Sequence, residues 1–305
     1  MLDQTTNSRG SLVGPVVPSW AFELAPCLRE SRVVCVVGKA IARVDHFHGL
    51  GAGMITAVVP SATDLSAVAL REAVAEVFGL VLGGLHDDGF PHPVRIWAFV
   101  PGIHDQMAEG MDRYRVFNAG RYDAFIRWCG GSAAFEKILP AASAVGHSGD
   151  RLVVSALGLR TPGMPVENPR QTPAFGYSPA HGPRPPCFSR AMLAMLPNGT
   201  RLLVSGTASI RGENSVHHGS LESQLEETFD NLHHLMQSVK GAGQFSLRGI
   251  ETTRVYFPRA EDRAALMAGV SARLPVEAAV EYVPAWVCRP ELLVEIEATC
   301  APLPS

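Results

Sequence analysis

Lysine is nearly missing from this chain: three lysines stand against 23 arginines in 305 residues. The basic residues are scattered, and with a formal net charge of −3 there is no electrostatic footprint for nucleic acid. The arginine bias suits bidentate recognition of carboxylates, although a GC-rich genome produces the same bias with no ligand involved. Long apolar runs are missing too. Stretches such as Phe78-Gly79-Leu80-Val81-Leu82 fall far short of the ~20 residues a membrane-spanning helix needs. The polar opening from Met1 to Gly10 has no basic segment followed by an apolar core, so no signal peptide is expected and the chain reads as cytoplasmic. Six cysteines occur without a C-x-x-C pair, which fits reduced thiols rather than a disulfide frame or a zinc site.

Familiar catalytic spacings are also absent. Gly146-His147-Ser148-Gly149 has the wrong spacing for a nucleophile elbow. None of the 11 histidines forms an H-x-x-x-H pair beside an acid, so no metal is expected. Gly49, Gly51 and Gly53 precede a strand instead of joining a strand to a helix, so they fail as a dinucleotide loop. The segment they share with His46 and His48 reads as a hairpin loop.

What is present is a well-packed composition, 47% apolar and 18% charged, long enough for two domains. After an irregular lead-in over residues 1–30, strands are predicted at Arg32–Val37 and Met54–Val59. Ser61-Ala62-Thr63-Asp64 has capping-box spacing and opens an amphipathic helix that stops at Gly83-Gly84. A strand at Val94–Val100 and a helix from about His104-Asp105 through Phe125 follow. The same order returns later: a strand at Leu202–Ile210, a helix from Leu221 with its polar stripe of Gln224, Thr228 and Asn231, a strand at Thr253–Phe257, then a helix through Leu266. Arg95-Ile96-Trp97 corresponds to Arg254-Val255-Tyr256, which suggests an internal duplication. The predicted fold is α+β, two related halves over 1–150 and 151–305, each a mixed sheet with two helices on one face. Prolines crowd residues 160–190 and exclude a helix or a central strand there. A loop of that length is usually functional or disordered, and its aromatic and arginine content argues against disorder.

The last predicted strand, Leu292–Ala298, carries two carboxylates in an apolar segment. Strand alternation puts Glu295 and Glu297 on one face and Val294, Ile296 and Ala298 on the other. An edge strand with one wet face fits the pattern as well as a buried acid does. Arg113, Arg121, Tyr177 and Arg190 are expected on loops. With a strand carboxylate they would suit an anionic substrate held by arginine forks and protonated by a buried acid. Each arginine alone fits a surface or packing role equally well.

Five blocks, in order, resemble the chorismatase family: Tyr114-Arg115-Val116-Phe117-Asn118-Ala119-Gly120-Arg121, Glu167-Asn168-Pro169-Arg170-Gln171, His181-Gly182-Pro183 with Phe188-Ser189-Arg190-Ala191, Ser205-Gly206-Thr207-Ala208-Ser209-Ile210, and Cys288-Arg289-Pro290-Glu291 running into Glu295-Ile296-Glu297. The C-terminal half is also similar to the YjgF reactive-intermediate deaminases. The resemblance implies a YjgF/chorismate-mutase-like fold and cleavage of chorismate without cofactor or metal. Glu295 would protonate the enolpyruvyl methylene, Arg121 and Arg190 would anchor the two carboxylates, and Tyr114 and Tyr177 would line the pocket, with Arg113 a weaker candidate. Glu297 is left as structural.

In the family, cysteine at the position of Cys288 goes with 3-hydroxybenzoate, and alanine there goes with hydrolysis to a dihydroxycyclohexadiene acid. Ala208 departs from the glycine usual in 3-hydroxybenzoate formers, which keeps 4-hydroxybenzoate open. Glu213 and His181 stand where histidine and tyrosine are common. An imine or enamine deaminase and a catalytically silent binding protein are the competing readings. Monomer and homotrimer both remain open, since trimers are common in the wider superfamily and the duplication could replace one.

Overall fold

The computed structural model describes residues 17–37, 40–107 and 110–304. The reading of Met1–Gly10 lies outside the described residues. Helix α1 (Ser19–Leu24) leads into β1 (Cys27–Val37), β2 (Ala40–His48), β3 (Ala52–Val59), α2 (Ala67–Asp87), β4 (His92–Pro101), α3 (Arg113–Cys129), the short α4 (Phe135–Ile138), β5 (Ala141–His147) and β6 (Leu152–Leu159). The second half holds β7 (Met164–Val166), β8 (Ala191–Leu196), β9 (Gly199–Ala208), the two-residue strands β10 (Ile210–Arg211) and β11 (Asn214–Ser215), α5 (Leu221–Gln237), β12 (Ile250–Phe257), α6 (Arg263–Ser271), β13 (Ala279–Pro284) and β14 (Glu295–Cys300).

The two six-stranded sheets have the same topology. The first runs β1-β2-β3-β6-β4-β5 and the second β7-β8-β9-β14-β12-β13. In each, only the last pair in that order is parallel, β4 with β5 and β12 with β13. The duplication is therefore real, and β6 lies inside the first sheet, so that sheet extends nine residues past the expected boundary at 150. Arg95 lies opposite Leu157 and Trp97 opposite Ser155; Arg254 lies opposite Glu297 and Tyr256 opposite Glu295. The inferred correspondence of Arg95 and Trp97 with Arg254 and Tyr256 is thus a matter of register, and the acids have no counterpart in the first half.

Strand alternation gives each sheet two apolar faces. The outer face of the first packs on α2 and α3 through residues such as Ile96, Ala98, Phe78 and Phe117. That of the second packs on α5 and α6 through Val255, Ile296, Leu232 and Leu266. The inner faces meet each other, with Met54, Trp97, Phe99 and Leu157 against Met192, Leu203 and Tyr256. The order of layers is helix, sheet, sheet, helix.

Several boundaries differ from expectation. The lead-in contains α1 and the start of β1, and His46 and His48 sit in β2, both within 3 Å of Asp88, not in a hairpin loop. Ser66, not Ser61, caps α2, accepting from the Ala69 amide at 3.3 Å. The helix then continues through Gly83-Gly84, because a side chain at Gly84 would press on His46 and Ile55 and the glycine lets helix and sheet close up. Helix α3 begins at Arg113 and not near His104, capped by the Asp112 side chain, which accepts from the Arg115 amide at 2.8 Å. Helix α5 ends before Gly241 and Gly243, which take their positive φ in the following loop. The closing strand begins at Glu295 and lies between β12 and β9, entirely buried, so the edge-strand reading fails.

Close approach of α2 and α3 depends on Gly120, where an added Cβ would stand 2.4 Å from the Arg71 carbonyl oxygen and 2.8 Å from Val74 Cβ. Backbone atoms cannot step aside cheaply. Gly120→Ala is expected to cost about 1–3 kcal/mol in urea unfolding, as overpacking does; unchanged stability would show that the two helices are free to move apart.

Candidate active site

A cavity of about 410 Å³ opens where the edges of the two halves meet. Its walls are the first half of α3 (Tyr114, Arg115, Arg121), the first half of β5 (Ala142–Ala144), the end of β9 with the start of β10 (Gly206, Ala208, Ile210), the proline-rich segment (Tyr177, His181, Phe188, Arg190), and the loop before β14 (Cys288–Glu291), with Glu295 at the strand's first position. Of the residues singled out from the sequence, Glu295, Arg121, Arg190, Tyr177, Tyr114, Cys288 and Ala208 come together here. The cavity belongs to both halves, not to the C-terminal half alone. Arg113 does not belong to it: its guanidinium donates to the Ala62 carbonyl at 3.1 Å and sits 3.6 Å from Asp105. Arg113 and Arg121 are helical, not on loops; they lie about 80° apart around α3 and about 12 Å apart along it, and Arg113 is taken up by Ala62 while Arg121 lines the cavity.

The two carboxylates of β14 share the inner face but not the same surroundings. Glu297 is held by four donors. Arg95 Nη2 at 2.7 Å, Ser143 Oγ at 2.6 Å and Tyr256 Oη at 3.1 Å donate to Oε2, and Trp97 Nε1 donates to Oε1 at 3.0 Å. Glu295 accepts no hydrogen bond from the described residues, and burial pushes its carboxyl up to about 8, with the neighbouring Glu297 adding to the shift and Arg95 opposing it. An acid in that range is protonated at neutral pH and able to donate. Gly206 makes room for it, since a Cβ there would lie 2.0 Å from Glu295 Oε1.

Arginine and aromatic side chains alternate along one wall. Arg121 lies 5.7 Å from the Phe188 ring centre, Arg190 lies 5.3 Å from the same ring and 5.6 Å from the Tyr177 ring, and Arg289 lies 5.6 Å from Tyr177. Arg190 Nη2 also donates to Tyr177 Oη and to the Thr172 carbonyl, each at 2.8 Å. Arg121 Nη2 donates to Asn118 Oδ1 at 2.7 Å. Neither guanidinium has an ion-pair partner among the described residues, and the Nε of each is buried and unbonded. Aromatic faces offset part of the desolvation of such cations, roughly 0.5–2 kcal/mol each. A carboxylate ligand would supply the remainder through bidentate bonds. Cys288 is a neutral thiol, pushed up to about 12 by burial and by Glu295, and so shapes the cavity instead of acting as a nucleophile. Burial likewise raises the Tyr114 phenol. The His181 ring lies tilted against Tyr177 with 5.2 Å between ring centres, and burial together with Arg289 lowers its pKa.

Buried polar residues of α5 fix the mobile-looking parts of this wall. Gln224 accepts from the Leu293 amide and donates to the Glu291 carbonyl; Asn231 donates to the carbonyls of Ala208 and Ile210. The proline-rich segment is ordered by Arg170 on Glu227, Asn168 on the Asn231 carbonyl and Ser178 on Glu213. Sequence reasoning gave no role to Ser143, Arg289, Phe188 or Gly206. A lone serine in Ala141-Ala142-Ser143-Ala144 was the available signal for the first, but its partner Glu297 is 154 residues away.

Fold and site together define a duplicated α+β protein with a buried acid and unpaired arginines at the junction of its halves. Residues 50–158 match the family model described as "Chorismatase FkbO/Hyg5-like, N-terminal". A 3-hydroxybenzoate synthase of Streptomyces hygroscopicus is 34% identical over 244 residues, 75% of this chain and 68% of the relative. A chorismatase of the same species is 34% identical over 240 residues, 75% of this chain and 67% of the relative. A chorismatase crystal structure aligns with a TM-score of 0.75 at 29% identity, covering 90% of this chain and 80% of the other. The chain belongs to the chorismatase family.

Two outcomes follow for the acid. Gly206→Ala is expected to leave the fold intact and displace the Glu295 carboxyl, read as a shift in the apparent pKa of that group; an unshifted titration would mean the carboxyl sits elsewhere. For stability, a carboxyl raised in the folded state from 4.5 to about 8 contributes fully below pH 4.5, and that contribution is lost as pH rises through 8. Relative to wild type, Glu295→Gln should therefore gain a few kcal/mol of unfolding free energy across this window and level off above it. A difference flat with pH would contradict the raised pKa.

Proposed function

We propose that the protein is a chorismatase that converts chorismate to pyruvate and a hydroxybenzoate, 3-hydroxybenzoate foremost. The observation that carries this reading is Glu295, a buried carboxyl near pKa 8 at the wall of a cavity where Arg121 and Arg190 form no ion pair among the described residues. Its proton adds to the enolpyruvyl methylene, turning that carbon into a methyl group and leaving positive charge at the ether carbon. The arginines Arg121 and Arg190 hold the carboxylates of the dianion, and Tyr114 and Tyr177 pack against it.

Chorismate has the composition of pyruvate plus hydroxybenzoate, so attack by the ring hydroxyl consumes no water. Release of a dihydroxycyclohexadiene acid takes up one water molecule. Cys288 beside Glu295 favours the first course, because its neutral thiol fills space that a water would otherwise take. Ala208 adds a methyl group at the bend after β9 and is the residue most able to tilt the ring toward another product.

Purified protein mixed with chorismate, with no metal added, is expected to release pyruvate and 3-hydroxybenzoate, measured by chromatography. Glu295→Gln should lower kcat by at least about a hundredfold, the usual range for loss of a general acid. In wild type kcat/KM should fall as pH rises through about 8, where the acid of the free enzyme loses its proton. No pyruvate from folded wild-type protein would end the chorismatase reading. A dienediol acid or 4-hydroxybenzoate would keep the family reaction and transfer product control from Cys288 to Ala208.

A further inference from the structure

We propose that Glu297, fixed as an anion by donors from both halves, is the positioning residue that keeps Glu295 in its acid form at neutral pH. The inference rests on the reading of Glu295 as the proton donor and assigns a task to a residue that the sequence marked only as structural.

Hydrogen-bond accounting sets the charge on Glu297. Arginine and the indole N–H can only donate, and both point at its oxygens. The Ser143 hydroxyl accepts from Arg95 Nη2 at 2.6 Å and from the Gly206 amide at 3.0 Å, so its own hydrogen is left for Glu297 Oε2. Tyr256, whose phenol is raised well above its ordinary pKa by burial and by Glu297, stays protonated and donates as well. Four donors and no acceptor leave no place for a carboxylic proton. Glu297 is a carboxylate.

Glu295 stands two residues away on the same face, roughly 6–7 Å along the strand, with no donor of its own. Two carboxylates this close in a buried site cannot both ionise without large cost, and the one without donors takes the proton. The other groups around the pair do not reverse this. On β4, Arg95 opposes the effect, but its pull on Glu295 is smaller than the push of Glu297. On β12, Arg254 pairs with Glu281 and also acts on Tyr256 and Glu297, so its charge favours the anionic form of Glu297. Tyr114 and Arg121 on α3 and Cys288 in the loop before β14 face Glu295 across the cavity, and the two with titratable hydrogens, Tyr114 and Cys288, are held neutral by burial. β9 brings only Gly206 and Ala208, neither of them titratable.

The test follows the Glu295 proton directly and then through catalysis. In the full chain, the infrared band of a protonated carboxyl, assigned by its loss in Glu295→Gln, is titrated against pH with no substrate present. In wild type it should disappear near pH 8. In Glu297→Gln it should disappear at least about one pH unit lower, since the like charge is gone. The alkaline limb of kcat/KM for chorismate should move down in parallel. If Glu297→Gln does not fold because Arg95 is left unpaired, the doubly neutral Arg95→Gln/Glu297→Gln chain carries the test, with a smaller shift in the same direction. A band midpoint that stays in place while kcat falls would overturn the proposal and leave Glu297 a structural anchor. A midpoint that moves in a protein inert toward chorismate would uphold it and instead end the chorismatase reading.

Discussion

The buried ion pair between Arg95 and Glu297 is the contact on which the arrangement depends. It crosses from β4 of one sheet to β14 of the other, and both side chains are almost wholly withdrawn from water. A single charge left in that setting would cost several kcal/mol, so neither half can present its inner face without the other. The indole of Trp97, the hydroxyl of Ser143 and the phenol of Tyr256 complete the bonding and tie three more strand positions to the same carboxylate. The pair therefore sets the register of the sheets against each other, and with it the place of Glu295.

Duplication explains why one acid site forms where the fold offers two related positions. Arg95 and Trp97 correspond to Arg254 and Tyr256, yet the strand positions facing them hold Leu157 and Ser155 in the first half and Glu297 and Glu295 in the second. The first half supplies donors and the second supplies acids. Arg254 pairs with Glu281 on the adjacent strand and also acts on Glu297 and Tyr256. Symmetry of fold thus coexists with asymmetry of charge, and the cavity needs both copies.

Around the acid, rigidity comes from buried polar side chains that serve the backbone. Gln224 and Asn231 of α5 bind the loop before β14 and the bend after β9, which carry Cys288, Arg289 and Ala208. Arg170 and Asn168 fasten the proline-rich segment to the same helix, so Tyr177, Phe188 and Arg190 stand in fixed positions although no long strand or helix carries them. The alternation of guanidinium and aromatic ring then keeps three like charges along one wall, where Arg121 and Arg190 form no ion pair among the described residues.

The sequence by itself determined which segments are strands and helices in broad outline, the repeat of their order, and the shared face of Glu295 and Glu297, because these rest on local periodicity. Seven of the eight candidate residues line the cavity, six of them within the quoted blocks and Tyr177 between two of them; Arg113 is held at Ala62 instead. The reach of the first sheet to residue 159 was illegible, since β6 is assigned by pairing with distant β3 and β4. So was the burial of β14, because alternation looks the same in an edge strand and a central one. Only tertiary structure decided that one carboxylate would be bonded four times and its neighbour not at all. The donors lie up to 202 residues away in sequence, and the proton affinity of an acid is set by what stands beside it in space.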